Sequence, residues 1–465
     1  MNKVIIAGFI MAIFGAVESV AQKNLPNVII IMSDDQGYAD VGFNGCKDIK
    51  TPHLDRLAAN GVVFTNGYVS HAFCGPSRAG LITGRYQHRF GFERNPLLAP
   101  NDPDMGLPLS EETMATVMGR AGYRSMIAGK WHLGAHESLH PLKRGFDEFY
   151  GFLNGGHQYF PEAWTLNDLT EIKTQYDGYK TKLLRDYTRV EEKEYITDAL
   201  SREAVGFIER NKEQPFFLYL AYNAPHGPLQ ATEKYLDRYK HIEDMKRRTY
   251  AAMVSAVDDG VGMVLDKLEE LGIEENTMVF FLSDNGGPEH VNASDNGPLK
   301  GGKGRIDEGG IRVPFAMQWP AQIKAGTTYD FPVISLDIFA TAVAYAKPSL
   351  NPEKPLDGVN IVPFINKNQE AHQSLYWRMR DSNSLALRNE NLKFVMANGG
   401  EITLYDLSKD IGETKDIKEK NKATFEELKR KYDRWDSQLI EPIFWGLSQE
   451  KEYLVDHPDR FIFKK

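Results

Sequence analysis

The sequence predicts an α/β fold: a large domain with a mainly parallel central sheet flanked by helices, followed by a smaller C-terminal α+β domain with an antiparallel sheet. Three observations carry this reading. Four short apolar runs are each followed at once by polar residues. Stretches with helical spacing lie between those runs. From about Pro348 the texture changes to clustered prolines, then short apolar runs ahead of one charged helix. The length, 465 residues, is also more than one small core needs.

The first segment is not expected to join the fold. Lys3 gives a positive start, Val4 to Val17 is almost continuously apolar, and Ser19 and Ala21 are the small residues of a cut before Gln22. The pattern reads as a secretory signal peptide over residues 1–21. Its apolar run falls short of the ~20 residues of a membrane span, so no stable membrane insertion is expected. No Cys stands at the cut, which disfavours a lipid anchor. The mature chain is expected to be exported, to a bacterial periplasm.

The four runs are Val28 to Met32 before Ser33-Asp34-Asp35, Tyr123 to Ala128 before Gly129-Lys130-Trp131-His132, Phe216 to Tyr222 before Asn223-Ala224-Pro225-His226, and Met278 to Leu282 before Ser283-Asp284-Asn285-Gly286-Gly287. Uninterrupted runs of β-branched and aromatic residues suit strands buried on both faces. Thr51-Pro52 opens a helix that Gly61 closes. Lys246 to Leu271 is a long helix, with Met253, Val257, Val261, Val264 and Leu268 on one face and Gly272 at its end. In such folds ligands bind beyond the carboxyl ends of the strands, so the polar residues after the four runs are expected to meet in one site. The first domain is expected over residues 22–365. The second, over 366–465, holds short runs such as Leu385-Ala386-Leu387, Leu392 to Met396 and Leu404-Tyr405-Asp406-Leu407, then a helix near Lys422 to Leu439.

Hydrophobic residues make up 42% and charged residues 26%, and the net charge is −9. That balance suits a globular chain and leaves no basic surface for nucleic acid. It leaves an anionic small ligand open, because a few Lys and Arg in a pocket set the local potential. Only two cysteines occur, Cys46 and Cys74. An exported chain with two could form one disulfide, but the surroundings of Cys74 argue against it. Cys46 is then a lone thiol.

Those surroundings are Cys74-Gly75-Pro76-Ser77-Arg78-Ala79-Gly80-Leu81-Ile82-Thr83-Gly84. The segment resembles the signature of the type I sulfatases, in which a C-x-P-S-R core directs oxidation of the cysteine to formylglycine by a dedicated maturation enzyme. Further blocks agree in order: Thr51-Pro52-His53-Leu54-Asp55-Arg56-Leu57, Gly129-Lys130-Trp131-His132-Leu133-Gly134, Ser283-Asp284-Asn285-Gly286-Gly287, Gly301-Gly302-Lys303-Gly304 and Glu308-Gly309-Gly310-Ile311-Arg312-Val313-Pro314. The resemblance runs from about Pro26 to Glu413 and implies an alkaline-phosphatase-like fold. The chemistry suits it. A thiol offers no easy exit for a transferred sulfate, whereas a hydrated aldehyde has one hydroxyl to attack sulfur and a second to expel sulfate. Pro76 fits a helix's first turn, placing the nucleophile at an anion-favouring N-terminus.

Asp34, Asp35, Asp284 and Asn285 offer only oxygen donors, which suits a hard cation, Ca²⁺ or Mg²⁺, rather than zinc. The resemblance implies Ca²⁺, with modified Cys74 as a further ligand. It also implies that Lys130 and Lys303 bind sulfate, that Arg78 steadies the formylglycine hydroxyl, that His132 helps break down the sulfated intermediate, and that His226 protonates the leaving alcohol. Histidine suits both tasks by its ordinary pKa. His157, in Gly151-Phe152-Leu153-Asn154-Gly155-Gly156-His157, is expected to contact substrate, and Trp377, Arg378 and Arg380 are expected to face the pocket. His71, His88 and His290 are left without a role.

The resulting expectation is a sulfuric ester hydrolase acting at the end of a sulfated carbohydrate of galactose or N-acetylgalactosamine type. Two readings compete. One is a phosphonate monoester or phosphodiester hydrolase of the same superfamily, some of which share the C-x-P-S-R core; the Gly-Lys-Trp-His block is more like sulfatases. The other is a non-catalytic glycan-binding protein, which would require the loss of a key residue, and none is missing.

Overall fold

The structure is a computed structural model describing residues 25–346 and 350–462. The signal-peptide reading of residues 1–21 therefore lies outside the described residues. Strand β1 (Asn27–Ser33) is buried along its whole length, as its unbroken apolar run requires. It is followed by β2 (Val62–Phe64), β3 (Gly67–Tyr68), β4 (Arg124–Lys130), β5 (Glu148–Phe152), β6 (Leu183–Arg185) and β7 (Thr188–Val190). Then come β8 (Phe216–Ala221), β9 (Thr277–Ser283), β10 (Phe315–Gln318), β11 (Thr327–Tyr329) and β12 (Val333–Ile334).

Ten of these form one sheet in the order β11-β2-β10-β9-β1-β8-β4-β5-β6-β7. Its centre, β9-β1-β8-β4-β5, is parallel, while β10 joins β9 and β6 joins β5 in antiparallel pairings. Alternate side chains of β1 serve opposite faces. Val28, Ile30 and Met32 enter one core with Phe280 and Leu282. Ile29 and Ile31 enter the other with Val279 and Phe281. The second core is closed by the helices Ile196–Asn211 and Met245–Glu270. The long helix begins where the Asp244 carboxylate accepts from the amides of Lys246 (2.7 Å) and Arg247 (3.0 Å), and it is followed by Gly272 in the left-handed region.

The C-terminal region is an antiparallel meander, β13 (Ser374–Met379), β14 (Ser384–Asn389), β15 (Leu392–Met396) and β16 (Thr403–Asp406), with the helix Lys422–Asp436 packed on it. It does not stand apart. Its core takes in Tyr68, Ile306 and Ile311 from the large sheet's side, and Phe444 and Tyr453 near the C-terminus return to the first core.

A buried charge cluster locks the two regions together. The Lys393 ammonium lies 2.9 Å from both Glu308 Oε1 and Glu413 Oε1. The Glu308 amide donates to Glu413 (2.7 Å), and the Tyr68 hydroxyl donates to Glu308 (2.6 Å). Arg312, 3.4 Å from Glu308 Oε2, brings the second positive charge, so two cations face two carboxylates, which is what permits them to be buried.

Candidate active site

The four strand ends do converge. Asp34 and Asp35 follow β1, Lys130 ends β4, His226 lies beyond β8, and Asp284 and Asn285 follow β9. Cys74 is the first residue of the helix Cys74–Thr83, with Phe73 extended at its N-cap. Its thiol is 2% exposed, and the free Gly75 amide of the first turn is taken by Asn95 Oδ1 at 2.8 Å. A ligand atom of Asp34, of Asp35 and of Cys74 all lie within 4.8 Å of one another.

Fixed cations surround them. The Lys130 ammonium donates to Asp34 Oδ2 at 2.6 Å. Lys303 donates to Asp35 at 2.8 Å and lies 3.5 Å from the Cys74 sulfur. Fully buried Arg78 donates through Nε to Asp284 Oδ2 (2.9 Å) and through Nη1 to the Lys130 carbonyl (3.2 Å). The Lys303 loop is tied to the segment before Cys74 by the Gly304 amide, which donates to the Ala72 carbonyl at 2.9 Å.

The charges divide the two carboxylates. Burial, with Asp284 beside it, lifts Asp34 to about 7 against the pull of Lys130 and Arg78. Burial acts on Asp35 too, but the Lys303 charge overrules it and, with His226, holds Asp35 at about 2. Burial pushes the Cys74 thiol up, so as a thiol it is a weak nucleophile. Desolvation and the neighbouring lysines hold His132 well below its ordinary value. His226 is held at about 4 by burial, opposed by Asp35 and assisted by Lys303. Its Nδ1 faces the Gly227 carbonyl at 2.6 Å, so that nitrogen carries the hydrogen, and Nε2 is directed toward Asp35 Oδ2 at 3.7 Å. Asp35 and His132 both sit in the left-handed backbone region, φ 64° and 56°, strain of the kind found where side chains are aimed for function.

The donor set fits a cation. Asn285 donates its amide hydrogens to Asp35 Oδ1 (2.7 Å) and the Gly286 carbonyl (3.0 Å), which leaves its own oxygen turned the other way. Asn285 Oδ1 and Asp34 Oδ1 are buried acceptors with no hydrogen-bond donor among the described residues. Two orphaned oxygens beside three carboxylates are costly unless positive charge sits between them.

Three expected substrate contacts are corrected. His157 is fully buried, with its ring nitrogens 2.8 Å from the Gln158 and Thr181 carbonyls and its ring packed on Phe152 and Trp164. It holds a loop and faces no pocket. Trp377 is 1% exposed and donates its indole N–H to the Val69 carbonyl at 2.7 Å. Arg378 is spent on Glu93 and Asp436. Both belong to the seam between the two sheets. Asn95, not singled out in the sequence, joins the site at the helix that Cys74 opens, and Gly155, from the loop that ends at His157, lies where a Cβ would come within 2.8 Å of His132 Nε2.

Comparison with known proteins decides the family. The sulfatase family model matches residues 26–348. The chain belongs to the sulfatase family. Within this sulfatase, residues 303–438 match the model of the N-sulphoglucosamine sulphohydrolase C-terminal region. Human N-acetylgalactosamine-6-sulfatase is 33% identical over 374 residues, 77% of this chain and 69% of the human protein. The uncharacterized sulfatase YdeN of Escherichia coli is 32% identical, over 76% of this chain and 69% of its own. Among solved structures, Ps i-CgsB in complex with k-i-k-neocarrahexaose superposes with a TM-score of 0.86 at 38% identity, covering 94% of this chain and 100% of that one. The sulfatase thus has the alkaline-phosphatase-like fold its motifs imply. The phosphonate monoester hydrolase of Agrobacterium radiobacter, 20% identical with a TM-score of 0.63 over 87% of this chain and 94% of that one, shares the fold alone. No helix among the described residues is long and apolar enough to cross a membrane.

Proposed function

We propose that this sulfatase releases inorganic sulfate from the end of a sulfated carbohydrate of galactose or N-acetylgalactosamine type, with Cys74 converted to formylglycine and Ca²⁺ held by Asp34, Asp35, Asp284, Asn285 and the modified Cys74. The observation that carries the reading is the setting of Cys74: first residue of a helix, between Lys130 and Lys303, beside two orphaned buried oxygens. A helix N-terminus and two ammonium groups favour a sulfate, and the orphaned oxygens favour a cation next to it. The thiol itself, pushed up by burial, does not account for a nucleophile.

The formylglycine hydrate would supply one hydroxyl to attack sulfur and a second whose deprotonation releases sulfate. Calcium would supply charge that polarises the ester's sulfate. The chain's own residues do the rest. Lys130 and Lys303 hold sulfate oxygens, and Arg78, fixed on Asp284, keeps the nucleophile's oxygen oriented. His226 carries its hydrogen on Nδ1, so Nε2 is the nitrogen from which a leaving alcohol takes a proton. Held at about 4, it needs the approaching anionic ester to raise it before it can donate. His132, kept neutral by burial and by the Lys130 charge, is suited to accept a proton during release.

Three findings support the substrate class. Ps i-CgsB binds a neocarrahexaose and a 33%-identical relative is named for N-acetylgalactosamine, so both point to galactose-type sugars. Cys74 is only 2% exposed, and a terminal sugar reaches a buried group more readily than the interior of a polymer does. Export through the signal peptide and maturation by a formylglycine-generating enzyme complete the reading. The test is sulfate release from a nitrophenyl sulfate, a phenyl phosphonate and a panel of sulfated oligosaccharides that includes k-i-k-neocarrahexaose and N-acetylgalactosamine 6-sulfate. Release from the aryl ester and from terminal sugars is expected. Faster turnover of the phosphonate would overturn the reading in favour of the phosphonate hydrolase.

A further inference from the structure

A tyrosine pair absent from every motif packs on the Gly155-Gly156 backbone that also meets His132. A Cβ on Gly155 would come within 2.8 Å of the His132 ring, and one on Gly156 would come within 2.6 Å of the ring carbon and hydroxyl of Tyr179. Two successive glycines therefore let a histidine and a tyrosine approach the same stretch of backbone. Tyr179 belongs to the short 3-10 turn Gln175–Lys180. The Tyr176 ring meets it edge-on, with centroids 5.8 Å apart at 74°.

The turn is held firmly, although it carries no catalytic group. The Leu98 amide donates to Gln175 Oε1 at 2.9 Å, and the Gln158 amide donates to the Tyr179 carbonyl at 3.0 Å. Asp177 closes the turn by accepting from the Thr174 amide at 3.0 Å. Gly178 packs so closely on Leu98 and Asn154 that a Cβ would meet them at 2.5 and 2.7 Å. The two rings on this rigid turn keep unused binding capacity. The Tyr179 hydroxyl makes no hydrogen bond among the described residues, and the Tyr176 ring is 67% exposed. The Tyr179 hydroxyl is thus open to an incoming acceptor, and the exposed Tyr176 ring offers an apolar face beside it.

The hydroxyl also shares the electrostatic field of the reacting groups. Burial, with Cys74 and Asp34 adding to it and Lys303 opposing, pushes its acidity far out of the working range, so it remains a donor. A sugar has the complementary chemistry: hydroxyl oxygens that accept, and an apolar C–H face that stacks on aromatic rings.

We propose that Tyr179 and Tyr176 form a carbohydrate-recognising surface beside Cys74, with the Tyr179 hydroxyl donating to the sugar that bears the sulfate and the Tyr176 ring covering the neighbouring sugar. The inference rests on the sulfated-carbohydrate reading above and adds to it the residues that recognise the sugar. Because the contacts are the same before and during sulfur transfer, they act on KM and leave kcat alone.

The experiment compares Tyr179→Phe, Tyr176→Ala and Tyr179→Ala with the wild type on a nitrophenyl sulfate and on k-i-k-neocarrahexaose or another oligosaccharide of the panel that the wild type turns over. Tyr179→Phe keeps the ring on Gly156 and removes only the donor, so KM for the oligosaccharide rises about fivefold with kcat unchanged. Tyr176→Ala raises it about tenfold. Neither changes the kinetics on the nitrophenyl ester. If Tyr179→Phe is silent on both substrates while Tyr179→Ala slows both alike, the turn is only structural and the inference is overturned. A wild type that hydrolyses the nitrophenyl ester and none of the oligosaccharides overturns the carbohydrate reading and this inference together.

Discussion

Gly129→Ala tests whether the sheet geometry, and not only the motif, places Lys130. Gly129 lies inside β4, paired with Ala221 on one side and Gly151 on the other. A Cβ there would sit 1.9 Å from the Ala221 carbonyl oxygen, where ordinary contact begins near 3.4 Å, and the backbone holds φ at +120°. Holding alanine in that backbone region costs about 1–3 kcal/mol. Relieving the clash means parting β4 from β8 by more than an ångström, which gives up about two ladder hydrogen bonds worth about 1 kcal/mol each. The loss is about 3–5 kcal/mol, or roughly 4 °C in Tm for a chain whose unfolding entropy is about 2 cal/mol/K per residue. The neighbouring Lys130 would leave its 2.6 Å contact with Asp34, and a displacement of about 1 Å at a catalytic group costs on the order of 100-fold in turnover. Gly119→Ala is the control. It is exposed near the end of the helix Met114–Arg120, with nothing within 4 Å of its Cβ, so the change should be neutral or stabilise by up to about 1 kcal/mol. Scanning calorimetry and aryl sulfate hydrolysis measure both variants. A Gly129→Ala protein with wild-type Tm and turnover would refute the reasoning.

Rigorous chelation should abolish activity and calcium should restore it, while Asp284→Asn, which also weakens the anchor of Arg78 at 2.9 Å, should not be rescued at calcium concentrations that restore the wild type; full activity of a chelated, metal-free protein would refute the cation's role. His226→Ala should slow sugar sulfates, whose alkoxide leaves badly, by at least about 100-fold and nitrophenyl sulfate far less; equal loss on both would remove His226 as the acid. Burial holds His140 at about 4, so between pH 6.5 and 4 the unfolded chain takes up a proton that the folded one refuses, and stability falls as pH falls through that window. His140 Nδ1 caps the next turn by accepting from the Leu142 amide, a role asparagine can keep, so His140→Asn should spare about 2 kcal/mol of the loss between pH 7 and 5 in urea melts; equal acid losses in the two proteins would refute this.

The candidate site was legible in the sequence because its residues cluster at strand ends, and strand ends are marked by apolar runs stopping near Asp34, Lys130 and Asp284. The parallel sheet was legible for the same reason. What stayed hidden depends on contacts between ordinary residues far apart in the chain. Asn95 at the nucleophile's helix and Tyr179 beside Gly156 belong to no periodic pattern. Trp377 was open to a better reading. Leu375, Trp377 and Met379 alternate along β13, and that period-two spacing marks a face turned into a core rather than toward a sugar. For His157, the resemblance of its loop to pocket-lining loops suggested a contact, but the fold spends both ring nitrogens on the Gln158 and Thr181 carbonyls. Nothing in the spacing of Glu308, Lys393 and Glu413 foretold that they would meet and tie the C-terminal sheet to the Lys303 side of the site.

The central claim is that Cys74 works as formylglycine, and the direct measurement is mass spectrometry of the Cys74 peptide from preparations whose specific activity is known. The structure gives the reason to expect it: the thiol is buried and pushed up in pKa, a poor nucleophile in a site otherwise arranged for a sulfate ester. Activity should rise in proportion to the aldehyde fraction across preparations made with and without a maturation enzyme, and Cys74→Ala should fold and be inactive. Full sulfatase activity from a preparation in which every Cys74 is an unmodified thiol would contradict the account.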